Sequence, residues 1–430
     1  MSNQKQSRIT RRTLLQAGAL GAAGLTLADW LRLSNANDVS ERRADAVLFV
    51  NLAGGPAHLD TLDMKPEGPA DTRGPFGNIQ SSIPGLVVCE HLPKFAQIVD
   101  RFTLIRGISH TTGDHPQGQA YIATGNRPGP ALKHPSYGSI VSKEMPGDPD
   151  LPPYVAIPRT EWNAGYMGDA YGPFQTNAVP KPGTTFSVRG LTLSEGVTVE
   201  KVQQRDALLQ DLDRRFRDAE TQSPLLEALD TFGRQAHSMV TSERTRAAFD
   251  VGSEPESIRN LFAGDELGQS LLLATRLIES GVKFVTVTNQ GWDTHTDNFI
   301  GHQRLLGPLD NGLTAMMSAL EEKGMLERTL VVVMGEFGRT PAINKNVGRD
   351  HYPRANWCLM AGAGVAPGQL IGGTNDDGTA PADGVEIHPD DLGATILHSL
   401  GIDPLKEYYT RTGRPVSLIP HGRIMSELFA

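Results

Sequence analysis

Uninterrupted hydrophobic runs, rather than alternating ones, mark the strongest strand candidates in this chain of 430 residues. Two of them are 45–52 (DAVLFVNL) and 329–334 (TLVVVM), and the second is rich in β-branched side chains. Such runs are typical of strands that are buried on both faces of a parallel sheet. Further runs predict strands at 86–88, 102–106, 151–157, 283–288 and 357–361.

Helical spacing of the apolar positions predicts helices between these strands, at 91–99, 199–219, 266–280, 303–322 and 388–400. Another helix is predicted to begin near Pro116, because proline suits a first turn, and to stop at Gly125. The alternation of strands and helices predicts a single α/β/α domain, with three layers around a mainly parallel central sheet. The segment from about 130 to 260 is the least informative, and we interpret it as a cap or insertion over the sheet.

The first 36 residues predict an export signal. A twin-arginine pattern, Arg11-Arg12, precedes an uncharged run from Leu14 to Ala28, which is too short to span a bilayer. Small residues at 34–36 suit a signal peptidase, so the predicted organisation is a twin-arginine signal peptide at 1–36 and one domain at 37–430. We therefore expect a periplasmic or extracellular protein without a transmembrane span in the mature chain.

The charge of the chain argues against a nucleic-acid partner. The formal net charge is −9, and removal of residues 1–36 takes away five basic residues and one acid, which gives −13. The two cysteines, Cys89 and Cys358, could pair in an oxidising compartment, although two separately buried thiols are the simpler expectation.

Acidic and histidine side chains collect where predicted strands end. They form four junctions, at 58–63 (with His58, Asp60 and Asp63), 110–115, 293–297 and 336–351. A parallel sheet brings such junctions to one edge, where α/β folds place their ligands. Asp, Glu and His together suit zinc or a similar divalent ion, and two such ions could clamp a phosphoryl or sulfuryl group. At each junction the alternative is a helix cap or a hydrogen-bonded acid–histidine pair.

The motifs LAGGPAHLDTLD, RGPF, VCEHLP, WDTHTDNF and GEFGRTP…GRDHYP, behind the twin-arginine leader, resemble the exported domain-of-unknown-function 1501 family. That family is similar in turn to the alkaline phosphatase and sulfatase superfamily, which implies an alkaline-phosphatase-like fold. The resemblance implies a divalent metal, zinc or calcium, as one or two ions. It places Asp293, His295 and His351 on one metal, Glu336 at a second site and Asp60 as the early acid.

The resemblance also exposes three departures from the superfamily pattern. His115 falls at the position of the usual Ser, Thr or Cys nucleophile. Phe337 stands where a His or Asn ligand is usual, and Ala53 and Gly54 replace the acid that follows the first strand. His115 could ligate a metal, act as a nucleophile, or serve as a general acid or base.

Other candidate catalytic side chains lie near these motifs. Thr111 and Thr112 are hydroxyls that could replace the missing nucleophile, and Arg339 and Arg349 could hold an anionic ester through their guanidinium groups. The predicted function is hydrolysis of a phosphate or sulfate ester, with a sulfated or phosphorylated polysaccharide as a possible substrate. The alternative is a non-catalytic binding protein that keeps the sulfatase-like fold, and a transferase using the same site remains open.

Overall fold

A computed structural model describes residues 42–182, 184, 186–188, 191, 201, 204, 238–262, 264–382 and 386–429. The predicted signal peptide and nearly all of the predicted helix at 199–219 lie outside the described residues. No helix in the described ranges is both long enough and apolar enough to cross a membrane.

Fourteen strands are present in the part of the chain that the structure describes. They are β1 (Ala46–Ala53), β2 (Asn78–Gln80), β3 (Val87–Cys89), β4 (Thr103–Arg106), β5 (Tyr154–Ile157), β6 (Phe174–Gln175), β7 (Phe284–Gln290), β8 (Thr329–Met334), β9 (Gly338–Arg339), β10 (His351–Tyr352), β11 (Trp357–Ala361), β12 (Leu370–Gly372), β13 (Glu407–Tyr409) and β14 (Pro415–Ser417). Eight of them form the central sheet, in the order β12-β4-β11-β8-β1-β7-β5-β6. Only β11 runs antiparallel to its neighbours, so the prediction of a mainly parallel sheet is confirmed.

The described helices are α1 (Ala70–Arg73), α2 (His115–Thr124), α3 (Tyr137–Glu144), α4 (Glu243–Phe249), α5 (Glu256–Leu261), α6 (Glu266–Ser280), α7 (Asn298–Glu322) and α8 (Pro389–Ser399). Side chains of α6 and α7 pack with Leu48 and Val50 on one face of the sheet. Side chains of α2, α3 and α8 pack with Val47 and Phe49 on the other face. These two apolar layers confirm the α/β/α sandwich, since alternate residues of a buried strand point to opposite faces.

The predicted helix at 91–99 is wrong, and tertiary contacts explain why. The segment forms two short 3₁₀ turns instead, at Phe95–Gln97 and Val99–Arg101. Pro93 has no N–H to donate, and the backbone N–H groups of Lys94 and Phe95 bind the Asp310 carboxylate of α7, at 3.3 and 2.7 Å. By contrast, 266–280, 329–334 and 357–361 form the elements that the pattern predicts, with the same bounds.

The direction of the strands determines which loops can meet. The carboxyl ends of the parallel strands β1, β5, β7 and β8 lie at one edge of the sheet. Because β11 is antiparallel to β8 and β4, its amino end lies at the same edge, as does the carboxyl end of β4. The residues just before β11 therefore join the loops that follow β4, β7 and β8.

Candidate metal centre

Three imidazoles and one carboxylate meet at this edge. His115 is the first residue of α2, Asp293 and His295 lie in the loop after β7, and His351 forms part of β10. One ligand atom each from His115, Asp293 and His351 lies within 4.8 Å of the other two. Three of the four predicted junctions thus contribute to one cluster, which we call the His3Asp cluster (His115, His295, His351 and Asp293).

Each imidazole of the cluster is held through its Nδ1 atom. His351 Nδ1 donates to the carbonyl oxygen of Gly113 at 2.7 Å, and His295 Nδ1 donates to Asp350 Oδ1 at 2.6 Å. His115 Nδ1 donates to Glu336 Oε1 at 2.6 Å. An acceptor on Nδ1 fixes the tautomer of a neutral imidazole and leaves Nε2 with a lone pair, as in metal-binding histidines.

The three Nε2 atoms converge on the Asp293 carboxylate. His295 Nε2 and His351 Nε2 each lie 3.2 Å from Asp293 Oδ1, and His115 Nε2 lies 3.1 Å from Oδ2. The Nε2 atoms of His295 and His351 are only 2.9 Å apart. Ligand atoms around a tetrahedral zinc ion with bonds of about 2.0–2.1 Å lie at separations of this kind. His115, Asp293 and His351 have ligand atoms that all lie within 4.8 Å of one another, and His295 joins them through its contacts with Asp293 and His351.

The donor chemistry of the cluster fits a metal ion. Gly113 offers only a carbonyl acceptor, so a neutral His351 carries its lone pair on Nε2, which lies 3.2 Å from Asp293 Oδ1. The carboxylate of Asp350 fixes the same tautomer in a neutral His295. Two such lone pairs 2.9 Å apart repel each other unless a proton or a cation lies between them. His115 Nε2 is buried, and its nearest polar group given by the structure is Asp293 Oδ2, at 3.1 Å.

Glu336 supports the cluster from behind. Its side chain is fully buried, and both carboxylate oxygens accept the backbone N–H of Gly54, at 2.9 and 3.1 Å. Oε1 also accepts from His115 Nδ1 and, at 3.3 Å, from the amide of Gln119. The structure thus joins Glu336 to the cluster through His115, and its assignment as a ligand of a second metal stays a prediction.

Gly54 explains one departure from the superfamily pattern. Its φ is +114°, and a Cβ at this position would lie 2.3 Å from the backbone nitrogen of Asp293. The loops after β1 and β7 therefore approach too closely for a side chain, and the backbone N–H of Gly54 binds Glu336 instead. An acidic ligand directly after the first strand has no room at position 54.

Arg339 positions Asp293. Its fully buried guanidinium donates to Asp293 Oδ1 at 2.6 Å, and to the carbonyl oxygens of Gly54 and Gly55. Partial burial opposes ionisation of Asp293, but the hydrogen bond and charge of Arg339 outweigh it and lower the pKa of Asp293 to about 2. A carboxylate that stays ionised in this way is ready to bind a cation at any physiological pH.

The surroundings of His115 and His351 shift the pKa values of the two imidazoles in opposite directions. The hydrogen bond to Glu336 raises the pKa of His115. Burial lowers the pKa of His351. Phe337, which is fully buried, forms the wall behind both rings, with centroid distances of 5.2 Å to His115 and 4.6 Å to His351. The residue in the place of the usual ligand therefore gives an apolar backing to the cluster.

Asp60 lies in a different network. Its carboxylate is fully buried and binds Arg349 through two hydrogen bonds, of 2.7 and 2.8 Å, and Asn298 through a third, of 2.8 Å. Because both oxygens are engaged within the protein, this arrangement leaves Asp60 out of the His3Asp cluster. The early acid that the sequence assigned to a metal forms a buried ion pair here.

The two arginines predicted to bind an anion have internal partners. All five N–H groups of Arg349 are used, by Asp60 and by the carbonyl oxygens of Thr72, Thr340 and Pro341. Arg339 is as deeply buried, so the arrangement does not offer either guanidinium to an anionic ester. Within the described residues, Thr112 forms a hydrogen bond only through its backbone N–H, to His110 Nδ1.

Sequence reasoning missed two supporting groups, Asp350 and the carbonyl oxygen of Gly113. The Asp350-His351 pair carried a usable signal, since metal-binding histidines are commonly oriented by carboxylates. No side-chain signal could identify Gly113.

The two cysteines are separate buried thiols, which was the simpler of the two expectations. Cys89 and Cys358 are free and buried, and burial raises the pKa of the Cys89 thiol to about 12.

Several solved structures of low sequence identity are similar to this chain. The chain is similar to the lipoteichoic acid synthase LtaP from Listeria monocytogenes, with 10% identity, a TM-score of 0.36, and coverage of 89% of this chain and 76% of that one. It is similar to the PsFucS1 sulfatase from Pseudoalteromonas sp., with 13% identity, a TM-score of 0.40, and coverage of 84% and 68%.

A third similar structure is a protein in the alkaline phosphatase superfamily from Vibrio parahaemolyticus, with 9% identity, a TM-score of 0.37, and coverage of 85% and 68%. A search of curated proteins found none that matches the sequence. The family model described as "Protein of unknown function (DUF1501)" matches residues 44–429, nearly the whole described chain. The chain therefore belongs to the DUF1501 family.

Proposed function

We propose that this protein is an exported, metal-dependent hydrolase that acts on a phosphate or sulfate ester. The observation that carries the proposal is the His3Asp cluster, in which three oriented imidazoles direct Nε2 at one ionised carboxylate. Such convergence of lone pairs is costly unless a cation binds there. A site at the carboxyl ends of parallel strands is also where α/β enzymes bind their substrates.

The ligand set favours one zinc-like ion over calcium. Three imidazole nitrogens and one carboxylate oxygen suit zinc, whereas calcium takes about six to eight oxygen ligands. A second ion has less support, because Glu336 and Asp60, the residues predicted for a second site, are engaged by Gly54 and Arg349. We therefore narrow the expected cofactor to a single zinc or similar transition-metal ion.

The chain's own residues would hold and orient this ion. A bound ion of this kind supplies Lewis acidity toward an ester oxygen and lowers the pKa of a water molecule. Glu336 and Asp350 keep two of the imidazoles in the ligand tautomer, and Arg339 keeps Asp293 ionised. His115 occupies the nucleophile position but is oriented as a ligand, which favours water over a protein side chain as the attacking group.

Metal content and turnover test the proposal together. Full-length protein should be purified from its own export route, assayed for bound metals by mass spectrometry, and tested with aryl phosphate and aryl sulfate esters. We expect about one transition-metal ion per chain, and loss of both metal and turnover in a His351→Ala variant. His421→Ala, at an exposed histidine outside the cluster, is the matched control. A metal-free protein whose turnover survives His351→Ala would overturn the proposal.

One observation favours the second candidate, a non-catalytic binding protein. The start of α2 carries His115 where a hydroxyl or thiol nucleophile would stand, and the cluster can hold a structural ion without any turnover. Ester turnover that disappears in Asp293→Ala, while the variant keeps its fold, would reject this candidate. Bound metal with no turnover of any ester tested would favour it.

A further inference from the structure

A cavity of about 330 Å³ opens beside the His3Asp cluster. His115 and Asp293 form part of its wall, so a molecule in the cavity can reach the cluster. The rest of the wall comes from the ends of β1 and β7, from the first turns of α2, and from the loops after β5 and β7. The cavity therefore lies along the same sheet edge as the candidate metal centre.

A second cavity, of about 490 Å³, continues along this edge. The two cavities share three lining residues, Arg159, Thr288 and Gln290, which therefore stand at their junction. The second cavity extends from there to the start of α6. Together they form a cleft with space for more than a single ester group.

Arg159 is the only lysine or arginine among the described residues that line the two cavities. Its side chain is exposed, and within the described ranges its guanidinium has neither an ion pair nor a hydrogen bond. Its backbone is fixed, since Thr288 Oγ1 donates to the Arg159 carbonyl oxygen at 3.1 Å. Arg159 thus differs from Arg339 and Arg349, whose guanidinium groups are buried and bound within the protein.

Uncharged polar side chains line the first cavity together with this arginine. Asn51, Gln119 and Gln290 line the first cavity, and the Oδ1 atom of Asn51 is buried without a partner among the described residues. A primary amide both donates and accepts, as does a substrate hydroxyl. A buried polar atom without a partner is costly, so Asn51 favours a ligand that brings a donor to it. Three acids line the two cavities: Asp293, which Arg339 binds, Glu161, and Glu266, which forms an ion pair of 3.7 Å with Lys181.

We propose that Arg159 is a specificity-determining residue that binds an acidic group of a hydroxyl-rich, extended substrate at the junction of the two cavities. This rests on the proposed function, in that the ester to be cleaved lies at the His3Asp cluster. A guanidinium group binds sulfate or carboxylate through two parallel hydrogen bonds, and Arg159 has all of its donors available. A free cation inside a chain of net charge −9 makes this recognition local to the cleft.

Binding of a charged and an uncharged oligosaccharide tests the proposal without requiring turnover. The probes are a dextran sulfate hexasaccharide and the dextran hexasaccharide of the same length, titrated calorimetrically into the full-length protein. We expect Arg159→Gln to weaken binding of the sulfated probe at least about tenfold, because a charge-assisted hydrogen bond is lost. The affinity of Arg159→Lys for the sulfated probe should lie between those of the wild type and Arg159→Gln, since lysine keeps the charge and loses the two-pronged geometry.

The control variant is Arg411→Gln, which makes the same charge change in the exposed turn between β13 and β14. Equal affinities for the sulfated probe in wild type and Arg159→Gln would overturn the proposal, as would an equal loss in Arg411→Gln. Arg159-dependent binding in a protein without turnover would support this inference while the hydrolase proposal fails. Turnover that depends on His351, together with normal binding of the sulfated probe by Arg159→Gln, would support the hydrolase proposal while this inference fails.

Discussion

Two junctions of the same composition have opposite fates in this molecule. After β1, Asp60 is buried against Arg349, and every donor of that arginine is used. After β7, the Asp293 side chain is 46% exposed, and three imidazole Nε2 atoms face it. The Asp60 carboxylate is fully buried and both of its oxygens are bound within the protein, whereas the Asp293 carboxylate is bound by Arg339 through Oδ1 and remains partly exposed beside the three imidazoles.

His302, near the first junction, differs from the histidines of the His3Asp cluster in the partners of its ring nitrogens. His302, beside the first junction, accepts from the Ala57 N–H at 3.0 Å and donates to the Asn298 carbonyl oxygen at 3.0 Å. Both of its nitrogens are satisfied, so it has no lone pair left for a metal. In the cluster histidines Nδ1 has an acceptor outside the cluster, whereas Nε2 faces other members of the cluster. The direction of the second ring nitrogen therefore separates the structural His302 from the candidate ligands.

Replacement of a cluster ligand should give the largest effect. His295→Ala is expected to weaken zinc binding by at least about a thousandfold, because even a supporting second-sphere partner is worth about 10- to 100-fold. The metal-free stability should change by less than about 0.5 kcal/mol, since the side chain is 43% exposed. Competition titrations with a zinc chelator and urea unfolding measure the two quantities. Unchanged zinc affinity would remove His295 from the ligand set.

Replacement of the acid at the first junction should affect folding stability rather than zinc binding. Asp60→Asn is expected to lower the free energy of unfolding by about 3–5 kcal/mol, because it leaves the Arg349 charge buried without its partner. Zinc affinity of the remaining folded protein should stay within about threefold. Urea unfolding and zinc titration again provide the readouts. A variant with normal stability and lost zinc affinity would restore Asp60 as the metal ligand that the sequence predicted.

The pH dependence of the free energy of unfolding tests His302, the histidine whose two ring nitrogens both have protein partners. Burial lowers the pKa of His302 from 6.5 to about 4, so the unfolded chain binds a proton in this interval and the folded chain does not. The stability that neutral His302 contributes is complete above about pH 6.5 and is lost as pH falls toward 4, a change of roughly 3 kcal/mol.

Urea unfolding of metal-free protein across this pH interval checks the effect. His302→Gln can keep an acceptor and a donor without titrating. As pH falls from 6.5 to 4, the free energy of unfolding of this variant should therefore decrease by roughly 3 kcal/mol less than that of the wild type. Equal slopes for the variant and the wild type between pH 4 and 6.5 would show that His302 does not titrate differently in the folded and unfolded states.

The smallest expected effect concerns the support of His295. Asp350→Asn should weaken zinc binding about 10- to 100-fold, because a neutral amide orients the imidazole less firmly and makes it less basic. Folding stability should be nearly unchanged, since Asp350 is exposed. Asp376→Asn, at an exposed acid in another loop, is the control for loss of one negative charge. Equal zinc affinities for the two variants would mean that Asp350 does not support a ligand.

The sequence predicts the layers and the position of the site because local patterns determine both. Continuous apolar runs such as 329–334 require burial on two faces, and the parallel sheet then brings the loops to one edge. Asp293, His295 and His351 are close to their strand ends, so their meeting follows from the topology. His115 follows from the helix start that Pro116 and Gly125 delimit.

The roles of Asp60 and Glu336 could not be predicted, because they depend on partners that are distant in sequence. Asp60 binds Arg349, which is 289 residues away, and Glu336 binds Gly54, which is 282 residues away. The loss of the predicted helix at 91–99 has the same origin, in the contact with Asp310. Composition locates an acid at the sheet edge, but only the tertiary structure shows whether its oxygens remain available.

The coordination of zinc in the loaded protein tests the central claim most directly. An X-ray absorption spectrum at the zinc K-edge, recorded on full-length protein with one equivalent of zinc, reports the ligand atoms and their distances. We predict three imidazole nitrogens and one carboxylate oxygen at about 2.0–2.1 Å, with one imidazole fewer in His351→Ala. A spectrum with only oxygen ligands, or an unchanged spectrum in His351→Ala, would contradict the assignment of the His3Asp cluster as the metal centre.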